Sequence, residues 1–161
     1  MELTKRIGHI GLRYVTDQSW SESMESRDIY ITSYDLVRLR ELVPVGTIFS
    51  KRNRQSMESL QNELERAHIV EPTAVPHDVV TMNSHVRLKD LDTNDQKVWT
   101  LVFPSEANLE QQKISILAPI GTAILGYRAG DAVEWQVPGG IRKLRIEEIL
   151  YQPEAAGHYS L

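Results

Sequence analysis

Hydrophobic positions change from helical spacing before residue 72 to a mainly two-residue period after residue 81, interrupted by one short helical stretch. Ile29, Tyr30 and Ile31 form a short extended lead-in. Thr32 then stands three residues before Asp35, the spacing of a capping box with Asp in place of Glu or Gln, so a helix is expected to begin here. Leu36, Leu39 and Val43 recur at spacings of three and four, with Leu42 widening the stripe, and Pro44 and Gly46 are read as its end. Met57, Leu60, Leu64 and Ala67 make a second stripe whose far side carries Glu58, Gln61, Asn62, Glu65 and Arg66. Two such helices joined by a loop with Pro and Gly predict a short antiparallel hairpin, each seam buried against the other.

Two prolines, Pro72 and Pro76, disfavour helix beyond that point and mark a linker. Val86 and Leu88 then alternate with Arg87 and Lys89, Val98 to Phe103 is rich in strand formers, and Ile114 and Ile116 flank Ser115. Val133, Trp135 and Val137 alternate with polar neighbours, as do Leu144 and Ile146, with Pro138, Gly139 and Gly140 as a three-residue turn between them. These runs predict about five strands in a mostly antiparallel sheet. One short helix interrupts them, with Pro119 as its first residue, Ile120, Ala123, Ile124 and Tyr127 on one face and Gly130 as its stop. The expected fold class is thus α+β: an N-terminal antiparallel helical hairpin followed by an antiparallel sheet with one short helix.

The expected organisation is a hairpin over 28–71, a linker over 72–81 and a sheet domain over 82–161. Residues 1–27 show no sustained period. Ile10, Leu12 and Tyr14 alternate with Gly11 and Arg13, which suggests one short strand. The alternative for this extension is disorder, or a misassigned start with Met24 as the true first residue.

Composition narrows the function. Of 161 residues, 41% are hydrophobic and 25% charged, which fits a globular chain rather than a disordered or fibrous one. Eighteen Lys and Arg against 22 Asp and Glu give a formal charge of −4, so no strong overall pull toward nucleic acid or anionic lipid is expected. The absence of cysteine closes disulfides, thiolate metal sites and Cys nucleophiles. No run of about 18 apolar residues and no apolar segment of secretory type occurs, so the expectation is a cytoplasmic protein without membrane association.

No autonomous active site emerges. His9, His68, His77, His85 and His158 show no metal-ligand spacing, and the adjacent His77 and Asp78 point to opposite sides of an extended segment. Ser33, Ser84 and Ser105 lie in no nucleophile elbow, and Gly121, Gly126, Gly130, Gly139 and Gly140 form no phosphate loop. The chain is expected to be no enzyme and to hold no cofactor and no metal.

Longer strings carry a resemblance. Ala118-Pro119-Ile120-Gly121-Thr122-Ala123-Ile124-Leu125-Gly126, then Gly130-Asp131 and Pro138-Gly139-Gly140, resemble the C-terminal domain of the bacterial transcript cleavage factors GreA and GreB. The strings 76–84 (PHDVVTMNS) and 151–157 (YQPEAAG) are similar to the Rnk subgroup of that family, the regulators of nucleoside diphosphate kinase. The resemblance covers residues 28–161.

It implies an FKBP-like sheet domain and a partner, RNA polymerase, bound at the rim of its secondary channel through the segment that opens the single helix. Here that segment is Ala118, Pro119, Ile120 and Gly121. A proline at a helix start is a rigid, solvent-facing corner, and Ile120 is either an apolar anchor in the contact or a residue packed beneath the helix. Gre proteins carry Ser where this chain has Ala118. In Gre factors, acidic residues at the hairpin tip help to bind the catalytic magnesium, because a hard cation prefers anionic oxygen. The tip here, from Pro44 to Gln55, contains Lys51, Arg52 and Arg54 and no Asp or Glu.

The resemblance thus points to an RNA polymerase-binding regulator of transcription elongation that competes with Gre factors without stimulating transcript cleavage. Nucleic-acid contact is expected to be indirect or weak, the basic tip touching polymerase or RNA, or simply solvated. Two alternatives remain: regulation of nucleoside diphosphate kinase, and an FKBP-like prolyl isomerase or chaperone, whose pocket would need aromatic walls from Trp99, Phe103, Tyr127 or Trp135.

Overall fold

The computed structural model describes residues 28–49, 51–137 and 139–161, and the side chains of 43–53 and 136–138 lie outside the description. The expected readings at Ile10–Tyr14 and Met24, and of the Val43, Lys51 and Arg52 side chains, fall there as well.

Strand β1 (Tyr30–Thr32) leads into helix α1 (Ser33–Phe49), α2 (Lys51–Arg66) follows, and β2 (His68–Val70) pairs with β1 in parallel, Tyr30 opposite His68. The cap at Thr32 is as expected on one side: its Oγ1 accepts the Asp35 amide at 3.0 Å. The far end of α1 differs. Pro44 and Gly46 were expected to stop the helix, yet α1 continues through both to Phe49, and the anticipated loop tip is helical on either side of Ser50. A proline removes one amide from the ladder and glycine costs about 1 kcal/mol, which are local terms only. Leu36, Leu39, Leu60 and Leu64, all in one buried cluster, hold the helix pair instead. The apolar stripe of α2 is as expected, with Met57 and Leu60 fully buried and Glu58 and Glu65 facing solvent.

A 3₁₀ turn at Pro72–Ala74 follows. The segment expected as a linker packs closely, with Val75, Val79, Val80 and Thr81 all buried. Beyond it, β3 (His85–Asp90), β4 (Gln96–Val102), β5 (Lys113–Ser115), β6 (Ala132–Val137) and β7 (Gly140–Tyr151) form one sheet in the order β5-β4-β3-β7-β6. The expected five strands are present, but the sheet is mixed. β5 runs parallel to β4, while the pairs β4–β3, β3–β7 and β7–β6 are antiparallel. The connection from β4 to β5 passes through a 3₁₀ turn at Pro104–Glu106 and is long enough to reverse direction twice, so β5 joins the edge in the same sense as β4. Between β6 and β7, Gly140 already pairs with Val137, so the turn has two residues rather than three.

Helix α3 (Pro119–Ile124) begins at the expected proline and ends six residues before Gly130. Leu125 turns extended, and Gly126 at φ +78° takes a left-handed conformation, which sends residues 126–128 alongside 79–80 instead of around another turn. Val86, Leu88, Leu101, Val133, Leu144 and Ile146 point from the sheet into the core beneath α3.

Candidate functional site

The corner that opens α3 is built by backbone geometry. Ile116 N donates to Val102 O at 2.9 Å, anchoring the chain as it leaves β5, and Ala118 N donates to Ser115 O at 2.9 Å. Ser115 Oγ accepts the Leu117 amide at 3.0 Å, and Thr122 Oγ1 donates to Ile116 O at 2.7 Å. Neither Ser115 nor Thr122 was singled out from the sequence, although an hydroxyl on each side of a proline corner is a recognisable turn signal. Ala118 is the N-cap and supplies no side-chain cap. Pro119 faces solvent, while Ile120 is only 6% exposed and lies in the core. Gly121 is fixed by space: a Cβ there would sit 2.2 Å from Ser115 O. Of the four expected docking residues only Pro119 is therefore presented outward, while half-buried Ala118 packs against the core and Ile120 and Gly121 fix the corner from beneath.

A second construction joins the helix pair to the sheet body. Asp35 is 2% exposed, and its Oδ2 accepts the Met82 amide at 3.3 Å. Burial pushes its carboxyl up to about 6, with Glu154 adding to the rise and the Met82 amide, Arg38 and Thr32 opposing it. Arg38 lies 4.0 Å from the Phe103 ring centre and donates to Leu161 O at 2.8 Å. Glu154 accepts from Thr81 Oγ1 at 2.7 Å, and Thr81 shares a 3.0 Å hydrogen bond with Ser84. On the opposite side, Tyr30 N donates to Gly126 O, Arg66 donates to the Tyr127 hydroxyl at 2.9 Å, and Arg128 stacks over Tyr30. Gly126 is needed here too, since a Cβ would meet Ile29 at 3.0 Å. The Thr32 half of the cap was legible in the sequence; the carboxylate of Asp35, expected to reach back to the Thr32 amide, instead takes the amide of Met82, 47 residues away.

The remaining candidates fall in place around these two constructions. Arg54 is exposed. Glu63 pairs with Arg66 at 2.6 Å, and Glu65 accepts from Gln61. Asp78 pairs with Arg128 at 2.6 Å, which gives the 77–78 segment a loop-fixing contact. Among the described residues no group of three or more His, Asp or Glu is placed to hold a metal ion. Phe103 and Tyr127 are buried in the core, and Trp99 and Trp135 pack against it. The cleft beside the β6–β7 turn, about 600 Å³ in volume, has Trp135 as its one aromatic wall among Asp92, Thr93, Gly139, Gly140, Ile141 and Arg142. Among the described residues no helix is long and apolar enough to cross a membrane.

The helix pair, its two-stranded ribbon and the mixed sheet together form a GreA/GreB-like fold, and the chain belongs to the GreA/GreB family. Residues 75–151 match the family model "Transcription elongation factor, GreA/GreB, C-term", and residues 27–70 match "Rnk N-terminus". The regulator of nucleoside diphosphate kinase from Escherichia coli K12 is 45% identical over 105 residues, which are 65% of this chain and 77% of that protein. The elongation factor GreA from Clostridium botulinum Eklund 17B is 37% identical over 90 residues, and the chain spans just over half, 56%, of its length. A solved GreA/GreB structure from Nitrosomonas europaea is 39% identical, with a TM-score of 0.64 over 77% of this chain and all of that one.

Proposed function

We propose that this chain is a regulator of transcription elongation that binds RNA polymerase at the rim of the secondary channel through the Pro119 corner, competes there with Gre factors, and does not stimulate transcript cleavage. The observation that carries the reading is the corner itself. An exposed proline, held by Gly121 and the hydroxyls of Ser115 and Thr122, is a preorganised contact that loses little conformational entropy on binding. The stretch from Pro44 to Gln55 contains no Asp or Glu, so it offers no carboxylate to a catalytic magnesium. The reading takes α1 and α2 as an antiparallel hairpin within 28–71, 72–81 as the connecting segment and 82–161 as an FKBP-like body, in a cytoplasmic, non-enzymatic protein. One residue separates the helices and their leucines share a cluster, which supports the hairpin.

Capture of core RNA polymerase by the full chain tests the docking. Pro119→Asp is expected to weaken capture about tenfold, a loss of roughly 1.4 kcal/mol at the contact, while its melting temperature stays close to wild type because the side chain faces solvent. Capture at wild-type strength would reject the corner. Transcript cleavage by stalled complexes should show no stimulation when the chain is added and should fall when it competes with GreB; clear stimulation would reject the account of the arm. A relative's name links it to nucleoside diphosphate kinase, and kinase activity measured with and without the chain tests whether that effect is direct.

A further inference from the structure

The sheet has a second face that none of the described helices covers, and its charges run against the sign of the whole chain. The register places the outward residues in two rows. One row, across β5, β4, β3 and β7, reads Lys113, Thr100, His85, Tyr151. The other, across β4, β3, β7 and β6, reads Gln96, Lys89, Arg145, Ala132. His85 is exposed and its ring centre lies 5.0 Å from that of Tyr151.

Between and beside the rows, the glutamates Glu148 and Glu134 are engaged by Arg87 and Lys143. Lys89 and Arg145 stand directly opposite each other, and neither forms an ion pair or side-chain hydrogen bond among the described residues. Like charges in opposed cross-strand positions destabilise a sheet, so an anion held between Lys89 and Arg145 would relieve their repulsion. Lys89 lies four residue steps along β3 from His85, about 13 Å at strand rise, a span that a short stretch of extended single strand covers.

We propose that this open face binds single-stranded nucleic acid, with backbone phosphate held between Lys89 and Arg145, a base stacked at the His85–Tyr151 edge, and Lys113 extending the track. Sequence-independent strand binding combines those two elements, cations for the backbone and ring faces for the bases. The rows lie on the opposite side of the sheet from α3, so strand binding and docking through Pro119 use separate surfaces and fail separately.

Fluorescence anisotropy of the full chain with a labelled 12-nucleotide oligouridine, its DNA counterpart and a polyglutamate peptide tests the proposal. Micromolar binding of RNA, DNA or both is expected at low salt, with a log–log salt slope near −2 if three cations contact phosphate, at about 0.7 per contact. The double variant Lys89→Gln/Arg145→Gln should bind at least tenfold more weakly, flatten the slope by about 1.4, melt no lower than wild type and still capture polymerase. Arg40→Gln, an exposed cation on α1, should change nothing. RNA stronger than DNA would identify the transcript as the ligand, and equal binding would identify either strand. No strand binding, binding of polyglutamate alone, or an equal loss in Arg40→Gln would overturn the proposal, the second in favour of an acidic protein surface.

Discussion

Replacing Asp35 by Asn should make the protein more stable at neutral pH, although it removes a charge that touches a hydrogen bond. In the folded chain the Asp35 carboxyl is pushed up to about 6 from an ordinary 3.8, chiefly by burial and then by Glu154. In the unfolded chain the group is solvated and returns to the ordinary value. Below the unfolded value both states hold the proton, and Asp35 makes no difference. Between the two values the folded state binds more protons than the unfolded one, so stability falls as pH rises, and the loss is complete above about 6. At about 1.4 kcal/mol per pH unit the gap amounts to roughly 3 kcal/mol at pH 7.

Asn keeps the shape and an oxygen to accept the Met82 amide, and it gives up the attraction of Arg38, which opposes the rise. The net expected gain is therefore about 1–3 kcal/mol at pH 7.5, or several degrees in Tm for a chain of this size. Urea unfolding of both proteins at intervals from pH 4.5 to 7.5 measures it, and the difference between the curves isolates Asp35. Asp90, held below the ordinary range by Arg142 and by backbone amides, contributes stability that is lost only as pH falls below that range, outside this window. A variant no more stable than wild type at pH 7.5, or a difference curve flat across the window, would refute the burial argument.

Two other perturbations read the constructions around the site. Gly121→Ala places a methyl 2.2 Å from the Ser115 carbonyl oxygen, which is backbone and cannot turn aside, so the corner must move. Loss of about 1–3 kcal/mol is expected from such overpacking, together with weakened polymerase capture even where the protein remains folded; wild-type Tm and capture would contradict the geometry. Gln152→Leu removes an amide that donates to Pro76 O at 2.9 Å and Val79 O at 2.7 Å. Its own oxygen has no partner among the described residues, so the cost is that of two buried carbonyls left unpaired, about 1–3 kcal/mol, and a change in urea-unfolding free energy below about 0.5 kcal/mol would show that these bonds add nothing.

What the sequence made legible is what short-range chemistry decides. Thr32 and Asp35 announce a cap by spacing alone, Pro119 announces a helix start, and the alternation at Val86–Leu88 and Val133–Trp135 gives strands and faces together. Failures occur where a local signal meets a tertiary one. Pro44 and Gly46 are breakers by propensity, but leucines elsewhere on the helix pair outweigh a single missing amide. Gly126 leaves α3 early to bond Tyr30 and Val80, at a point where a Cβ would meet Ile29 and Tyr30, contacts that no window around Gly126 contains. The parallel edge at β5 depends on how a ten-residue connection folds back, which composition does not encode. At the site, the proline corner was readable and its supports at Ser115 and Thr122 were not, because each bonds to a backbone atom placed by the sheet.

The same distinction applies to charge. The whole-chain value of −4 argued against a nucleic-acid partner, but a sum over 161 residues says nothing about where the charges sit. Strand register gathers Lys89, Arg145 and Lys113 on one face while aspartates collect in the β3–β4 turn, at Asp90, Asp92 and Asp95. The joint at Asp35 adds a constraint of another kind. Leu36, Leu39, Leu60 and Leu64 of the helix pair share one buried cluster with Val80, Met82, Phe103 and Ile120 of the body. Ile120 lies directly beside Pro119, so the helices and the proline corner rest on the same packed side chains. An arm seated in this way cannot change direction without disturbing that cluster, and a partner that grips the corner thereby also fixes where the arm points.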